Sequence, residues 1–434
     1  MGEKMKKTLT TIATTALILT SACTKEKIIE KEKPVEKIMA TDQSDAETMA
    51  LAAEQLLGSW NFPIGIKILD QALAKDPNNQ RALFYKYLTM PLVKSFKGYV
   101  SRMKPIANKV GKLNNLISFG NNIKKMYPAQ LSAFLIDGPE DIKTAADYQN
   151  YIIETVNSFG DLRNFLKNNP DINLTLNINT DLVFNNLYSG NTRQTDIQDN
   201  CLYTQGPNGN WNVDCDFSKI NQHILSPADA LAIRQMAAGA YLYGILMTSY
   251  SINGLETLAN YYGAKLSQSQ AQALVFNLPE FGKLRPDNHL AEIKNIGSDL
   301  LAAFKYVVEN QSSLCPAPSN ENPSWARSEK SRKGFVFEYG FCFTPGQTFE
   351  SDLAKYEKAL NGPLQLSVEA QNKTTIVTTV DPLAFVRNPV TDLRSIVPNA
   401  YNECDQPVSL TDKTLAGIFP QGDAELILRN NCNK

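Results

Sequence analysis

Residues 64–86 read IGIKILDQALAKDPNNQRALFYK, and this stretch decides the fold class. Ile64, Ile68, Leu69, Ala72 and Leu73 recur every three or four residues, the period of one helix face. Asp76-Pro77-Asn78-Asn79 then stops the helix, and Ala82-Leu83-Phe84-Tyr85 opens the next. Upstream, Ala46, Met49, Ala50, Ala53, Leu56 and Leu57 carry the same period up to a break at Gly58-Ser59-Trp60-Asn61. Two helices, a tight turn holding Pro and a restart describe a helical-hairpin array, so the expected class is mainly α.

Beyond the hairpins, Pro91 is expected to end the third helix. Ser95–Ile106 and Lys109–Tyr127 read as amphipathic helices whose lysines form a solvated face, and Ala145–Leu166 as another helix. The period then changes. Ile172, Leu174, Leu176 and Ile178 alternate with polar residues as a strand, and Asn208-Gly209 sets a hairpin turn between Cys201 and Cys215. The density of Asn here predicts an exposed β-rich insertion. Ser226-Pro227-Ala228-Asp229 has the cap, Pro and acid of a helix start, and a core helix is expected to run from there to about Tyr250. Gly239, Ala240 and Gly244 are read as its smooth side. Further helices are expected over 255–262, from near Ser267, over 289–309 and over 352–360, with strands at 335–343, 364–370 and 374–380.

The chain has 434 residues, 43 basic against 44 acidic, and two histidines. Near-neutrality gives no electrostatic reason to expect nucleic acid. With His223 and His289 the only imidazoles, any Ser or Cys triad would have to use one of them. Neither lies in a Gly-x-Ser-x-Gly context, and no Walker loop, dinucleotide fingerprint or His-Glu-x-x-His is present. No enzyme, cofactor or metal is expected.

The start of the chain is an address. Lys4, Lys6 and Lys7 precede the uncharged run TLTTIATTALILT and the small residues Ser21-Ala22 before Cys23. The run is too short to span a bilayer, for which about 20 apolar residues are required. The interleaved Lys and Glu after it predict a solvated tether. Six further cysteines, Cys201, Cys215, Cys315, Cys342, Cys404 and Cys432, are an even set that an oxidising compartment would convert to disulfides. Six cysteines allow about 15 connectivities, among which sequence alone does not choose; proximity favours neighbours, Cys201 with Cys215, Cys315 with Cys342, and Cys404 with Cys432.

The Ser21-Ala22-Cys23 end resembles a bacterial lipoprotein signal, which implies lipidation of Cys23. Thr24, in place of the Asp that retains such proteins at the inner membrane, implies the outer membrane, facing the periplasm. ALAKDPNNQRALFYK resembles a tetratricopeptide-repeat junction, with Ala72, Pro77 and the small Gly65 at matching places. Thr391–Pro398 and Leu415–Pro420 resemble the closing segment of bacterial tetratricopeptide-containing lipoproteins, and the 225–244 helix resembles their central one. In that closing segment Asp392 and Arg394 are read as structural, pairing or capping.

The resulting organisation is a signal at 1–22, a charged tether at 23–45, a tetratricopeptide-like region at 46–169, the β insertion at 170–222, a helical core region at 223–310 and a Cys-bearing mixed region at 311–434. The expected function is a lipid-anchored envelope scaffold that binds a protein or peptide partner through a helical-repeat surface. The alternative is a periplasmic carrier of a small or apolar ligand held between the helices.

Overall fold

The computed structural model of the chain describes residues 38–41, 43–58, 61–127, 129–178, 201–206, 210–215, 221–261, 267–314, 349–369, 375–396 and 410–425. The signal with Cys23, the Asn208-Gly209 turn, the expected strand at 335–343, and Cys315, Cys342, Cys404 and Cys432 lie outside these residues. Among the described residues helices predominate, as the periodicity predicts.

Strand β1 (Ile38–Ala40) leads into α1 (Ala46–Gly58), which starts where the Asp45 carboxylate accepts the Thr48 N–H at 2.7 Å. Helix α2 (Phe62–Lys75) packs on α1, and α3 (Gln80–Phe96) on both. Gly65 sits at the α1–α2 approach; a Cβ there would lie 2.9 Å from the Leu57 side chain. Ala50, Ala52, Ala53 and Leu56 are fully buried, so α1 lies at the centre of the first core and not at its surface.

Helix α3 does not end at Pro91 but continues to Phe96. Pro91 is buried, and the packing around it outweighs the loss of one helical hydrogen bond. The break comes at Gly98, which takes φ +66° against Gly138; a Cβ on it would stand 2.7 Å from the Gly138 Cα. That turn delays the next helix to α4 (Tyr99–Lys109). Helices α5 (Leu113–Met126) and α6 (Ala129–Ile136) complete a small satellite core of Val100, Ile123 and Ile136.

Helix α7 (Ala145–Asn168) opens on a capping box between Thr144 and Asp147. Four strands follow: β2 (Leu174–Ile178), β3 (Cys201–Gln205), β4 (Trp211–Cys215) and β5 (Asn221–Leu225). β3 and β4 form the expected antiparallel hairpin, and β2 pairs with β5. The exposed-insertion reading is corrected: Ile172, Leu176, Val213 and Leu225 are at most 3% exposed and belong to the α1–α3 core. Alternation along a strand lets Leu176 of β2 and Val213 of β4 turn to the core. The tether also ends earlier than expected, because Ile38–Ala40 pairs with β4, with Ala40 opposite Val213.

Helix α8 (Pro227–Thr248) begins on a Ser226–Asp229 capping box, as the sequence predicts. After a 3-10 turn over 255–261 and α9 (Gln268–Phe276), α10 (Ile293–Leu314) and α11 (Phe349–Asn361) join a second core with Tyr241, Ile245, Leu290, Ile296 and Leu360. β6 (Leu364–Glu369) and β7 (Thr375–Val380) form an antiparallel pair, and α12 (Ala384–Arg387) follows. The resemblance segment 415–420 forms a tight loop. Leu415, Ala416 and Gly417 all take positive φ, and the Asp412 carboxylate accepts the Ala416 N–H at 2.6 Å. Ile418 accepts the Asp381 N–H, which ties this loop to the end of β7.

Two devices hold these parts together. Inside the first core, the Glu54 carboxylate accepts bonds from Arg81 Nη1 and the Tyr85 hydroxyl, each at 2.8 Å, and from the Asn177 backbone N–H. Arg81 also donates to the Thr175 carbonyl and to Glu47, each at 2.7 Å. α1, α3 and β2 are thereby joined across more than ninety residues of sequence. Burial pushes the Glu54 carboxyl up to about 7, against the downward pull of Arg81, Tyr85 and Asn177. Between the two cores, antiparallel α7 and α8 meet glycine to side chain. A Cβ on Gly160 would lie 2.9 Å from the Tyr241 ring, and one on Gly244 would lie 2.4 Å from Val156 Cγ2.

Arg81→Met is expected to cost about 3–5 kcal/mol by leaving the Glu54 charge without its partner. Without Arg81, burial raises the Glu54 carboxyl further, so stability falls as pH climbs from the ordinary carboxylate range towards that raised value. Urea unfolding should therefore show a smaller penalty near about pH 5 than near about pH 8. In the same assay Gly244→Ala should cost about 1–3 kcal/mol. Gly239→Ala, with nothing within 4 Å of the new Cβ, should be neutral or stabilising by up to about 1 kcal/mol.

Candidate docking face

Helix α8 runs from Arg234 to its end without a charged side chain. A helix apolar on all sides is expected to be covered on all sides. Here it is not. Ala237, Ala238, Tyr241, Gly244, Ile245 and Thr248 are buried. Gly239, Ala240, Tyr243, Leu246 and Met247 recur at three- and four-residue spacing on the other side, while Met236, one turn earlier, packs against the first core. Tyr243, Leu246 and Met247 are 42%, 44% and 54% exposed. The glycines therefore do not share one smooth side: Gly244 faces α7 and Gly239 opens outward.

Both ends of this face are held. The Asp229 carboxylate, fully buried, accepts the Ser226 N–H at 2.8 Å at the start of the helix. At the far end Gln149 of α7 donates to the Tyr250 carbonyl at 2.6 Å and accepts the Ile252 N–H at 3.2 Å. On the covered side, the Tyr241 hydroxyl donates to Glu292 at 3.1 Å, and burial with that carboxylate raises it far above the ordinary tyrosine range. By length and composition α8 could cross a membrane, with 44% of its most apolar window buried inside the protein. Its outward side is thus a rigid apolar stripe on a fixed helix, the kind of surface that marks association sites. Met247, the most exposed of the three, suits it to adaptable packing.

The residues singled out from sequence fall elsewhere. Cys201 and Cys215 stand directly opposite one another in the β3–β4 register. His223 lies opposite Leu176 in the β2–β5 pair. His289 Nδ1 is 2.8 Å from Glu292 Oε1, at the turn before α10. The Asp392–Arg394 pair is structural as read. Arg394 Nε lies 2.9 Å from the Asp392 carboxylate, and Arg394 Nη1 donates to the Phe276 and Leu278 carbonyls at 2.9 Å, bracing the loop after α9. That guanidinium holds the Asp392 carboxyl below its usual range. Lys94 and Lys104 make exposed ion pairs with Glu154 and Glu140. Among the described residues no group of three or more His, Cys, Asp or Glu could hold a metal ion. The outward stripe of α8 was hidden in the sequence reading because one helix supplied two apolar faces, and only one of them had an expected neighbour.

Comparison with known proteins adds no relative: no family model, no curated protein and no solved structure matches the chain.

The division of α8 into two faces has a direct consequence. Tyr243→Gln and Met247→Gln should each change the free energy of unfolding by no more than about 0.5 kcal/mol. Tyr241→Ala, one step round the helix, should cost on the order of 3 kcal/mol. Urea melts of the three variants check the assignment.

Proposed function

We propose that the protein is a lipid-anchored component of a bacterial envelope that binds a protein partner through the outward stripe of α8. The single observation that carries the docking surface is the set of three large apolar side chains, Tyr243, Leu246 and Met247, each more than two-fifths exposed on an uncharged helix face. The lipid anchor at Cys23 rests on the signal-like start of the chain. Export is supported by the register of Cys201 and Cys215, since opposed residues of an antiparallel pair lie about 4.5–5.5 Å apart at Cα, within the span a disulfide accepts. The close approach at Gly65 supports a tetratricopeptide-like α1–α2 hairpin.

The proposed surface is not that hairpin's own, because α1 is enclosed by α2, α3 and the strands. A ligand carried between α7 and α8 is the less favoured reading, since the glycine contacts leave no room for one along that seam.

A photo-reactive residue placed at Met247 in the native membrane is expected to give one discrete protein adduct. The same probe at exposed Asn122 of α5 should give none, and Leu246→Glu should remove the Met247 adduct. Identical patterns from both sites, or no adduct at Met247, would reject the docking face. Intact mass of the same extracted protein, expected to show lipid on Cys23 and a bond between Cys201 and Cys215, tests the export reading separately.

A further inference from the structure

Three basic side chains from two helices converge on one carboxylate at the level where α7, α8 and α10 meet. Arg163 of α7 pairs with Asp299 Oδ2 of α10. Arg234 of α8 reaches Asp299 Oδ1 at 3.4 Å, and Lys167 of α7 reaches Asp299 Oδ2 at 3.5 Å. Gln235 Nε2 lies 3.5 Å from the Asp299 carbonyl. The cluster thus sets three positive charges against one negative. Two further carboxylates stand near the cluster: Glu292, bonded by Tyr241 and His289, and the exposed Asp161 of α7 both act on the Tyr241 hydroxyl together with Arg163.

Three cations sharing one bonded carboxylate are poorly served where water is scarce, and here it is. The Arg163 side chain is 6% exposed, and Arg234 and Asp299 are each 16% exposed. The Nε atoms of both arginines and the Gln235 Oε1 are buried with no hydrogen-bond partner. Buried donors in native proteins are almost always satisfied, and an orphaned one calls for an explanation. Asp299 holds the three cations unequally. Arg163 has the closest contact, while Arg234 and Lys167 stand at the limit of bonding and remain able to serve a second acceptor. Lys167, 48% exposed, is the solvent edge of the cluster and its point of entry.

We propose that Arg163, Lys167 and Arg234 form a binding site for a phosphate group, with Asp299 as the internal counter-charge that orders the cations when the site is free. The unpartnered Nε donors of Arg163 and Arg234 and the exposed Lys167 ammonium suit a phosphate group, whose oxygens guanidinium forks bind in pairs. Binding recruits Arg234 and Lys167 to the entering oxygens while Arg163 keeps Asp299. The site lies at the seam between the cores and is independent of the outward stripe of α8, so either proposal can fail without the other.

The test is a titration of the purified mature chain with inorganic phosphate, at ionic strength held constant with sodium chloride, read by phosphorus NMR and by the thermal midpoint. Saturable binding with a rise in midpoint is expected. Lys167→Glu, at an exposed position, should keep the circular dichroism of the parent and weaken binding by at least about tenfold. Asp299→Asn should tighten it by removing the competing acceptor. Glycerol phosphate and phosphatidylglycerol vesicles separate the sources. Vesicle binding lost in Lys167→Glu assigns a lipid headgroup, and binding of the soluble phosphates alone assigns a free ligand. Failure of the parent to saturate with any probe, or equal affinity in Lys167→Glu, would overturn the site and leave the cluster as an internal ion-pair staple.

Discussion

The α7–α8 seam is the constraint on which the rest of the molecule depends. Each helix offers a glycine to the other's bulk, Gly160 beneath Tyr241 and Gly244 against Val156, so the backbones come close with little tolerance for added volume. α7 also packs on α3, where Tyr87 stacks on Phe165 at 4.7 Å, and α8 packs on α10. The seam therefore links the two main cores, since both of its helices contribute buried residues to each. It also fixes the rotation of α8. With Tyr241, Gly244 and Ile245 committed to the seam, Tyr243, Leu246 and Met247 must point away from it. The same antiparallel register brings Arg163 and Arg234 level with Asp299. Both proposed surfaces follow from this one packing arrangement.

Charge is distributed along the chain in a way the near-neutral total conceals. Residues 77–136 contain no Asp or Glu, while basic residues recur throughout them. Their partners come from segments on either side: Glu47 and Glu54 for Arg81, Asp70 for Lys86, Asp141 for Arg102 and Glu140 for Lys104. Most of these contacts are exposed and each adds little to stability. The exception is the Glu54 network, where removing one partner strands a charge inside the core. That network ties β2 to α1 and α3, because the Thr175 carbonyl and the Asn177 N–H complete it.

Local chemistry made many elements legible in advance. Ser226-Pro227-Ala228-Asp229 and the Ser267 cap both mark helix starts because their side chains satisfy amides that no helical turn can reach. The period-two run before Ile178 gave a strand for the complementary reason, one face apolar and one polar. Pro91 misled, since a local rule about one missing donor could not weigh the burial of the residue that carries it. The insertion misled in the same way. Its Asn content drew attention to exposed residues such as Asn173, while Leu176, Val213 and Leu225 were already inward.

The amino-acid order by itself determined the helical class, the capped starts, the β3–β4 hairpin and the small residues at Gly65 and Gly244, because each depends on contacts within a few residues or on the absence of a side chain. The tertiary structure alone decided which apolar face of α8 is covered, that β2 bonds to the Glu54 network of α1, and that Arg163, Lys167, Arg234 and Asp299 share one place. Those outcomes depend on residues between a few dozen and well over a hundred positions apart, and no local period carries that distance. Hydrophobicity marks a surface for burial without naming its neighbour; close packing against one particular helix does that.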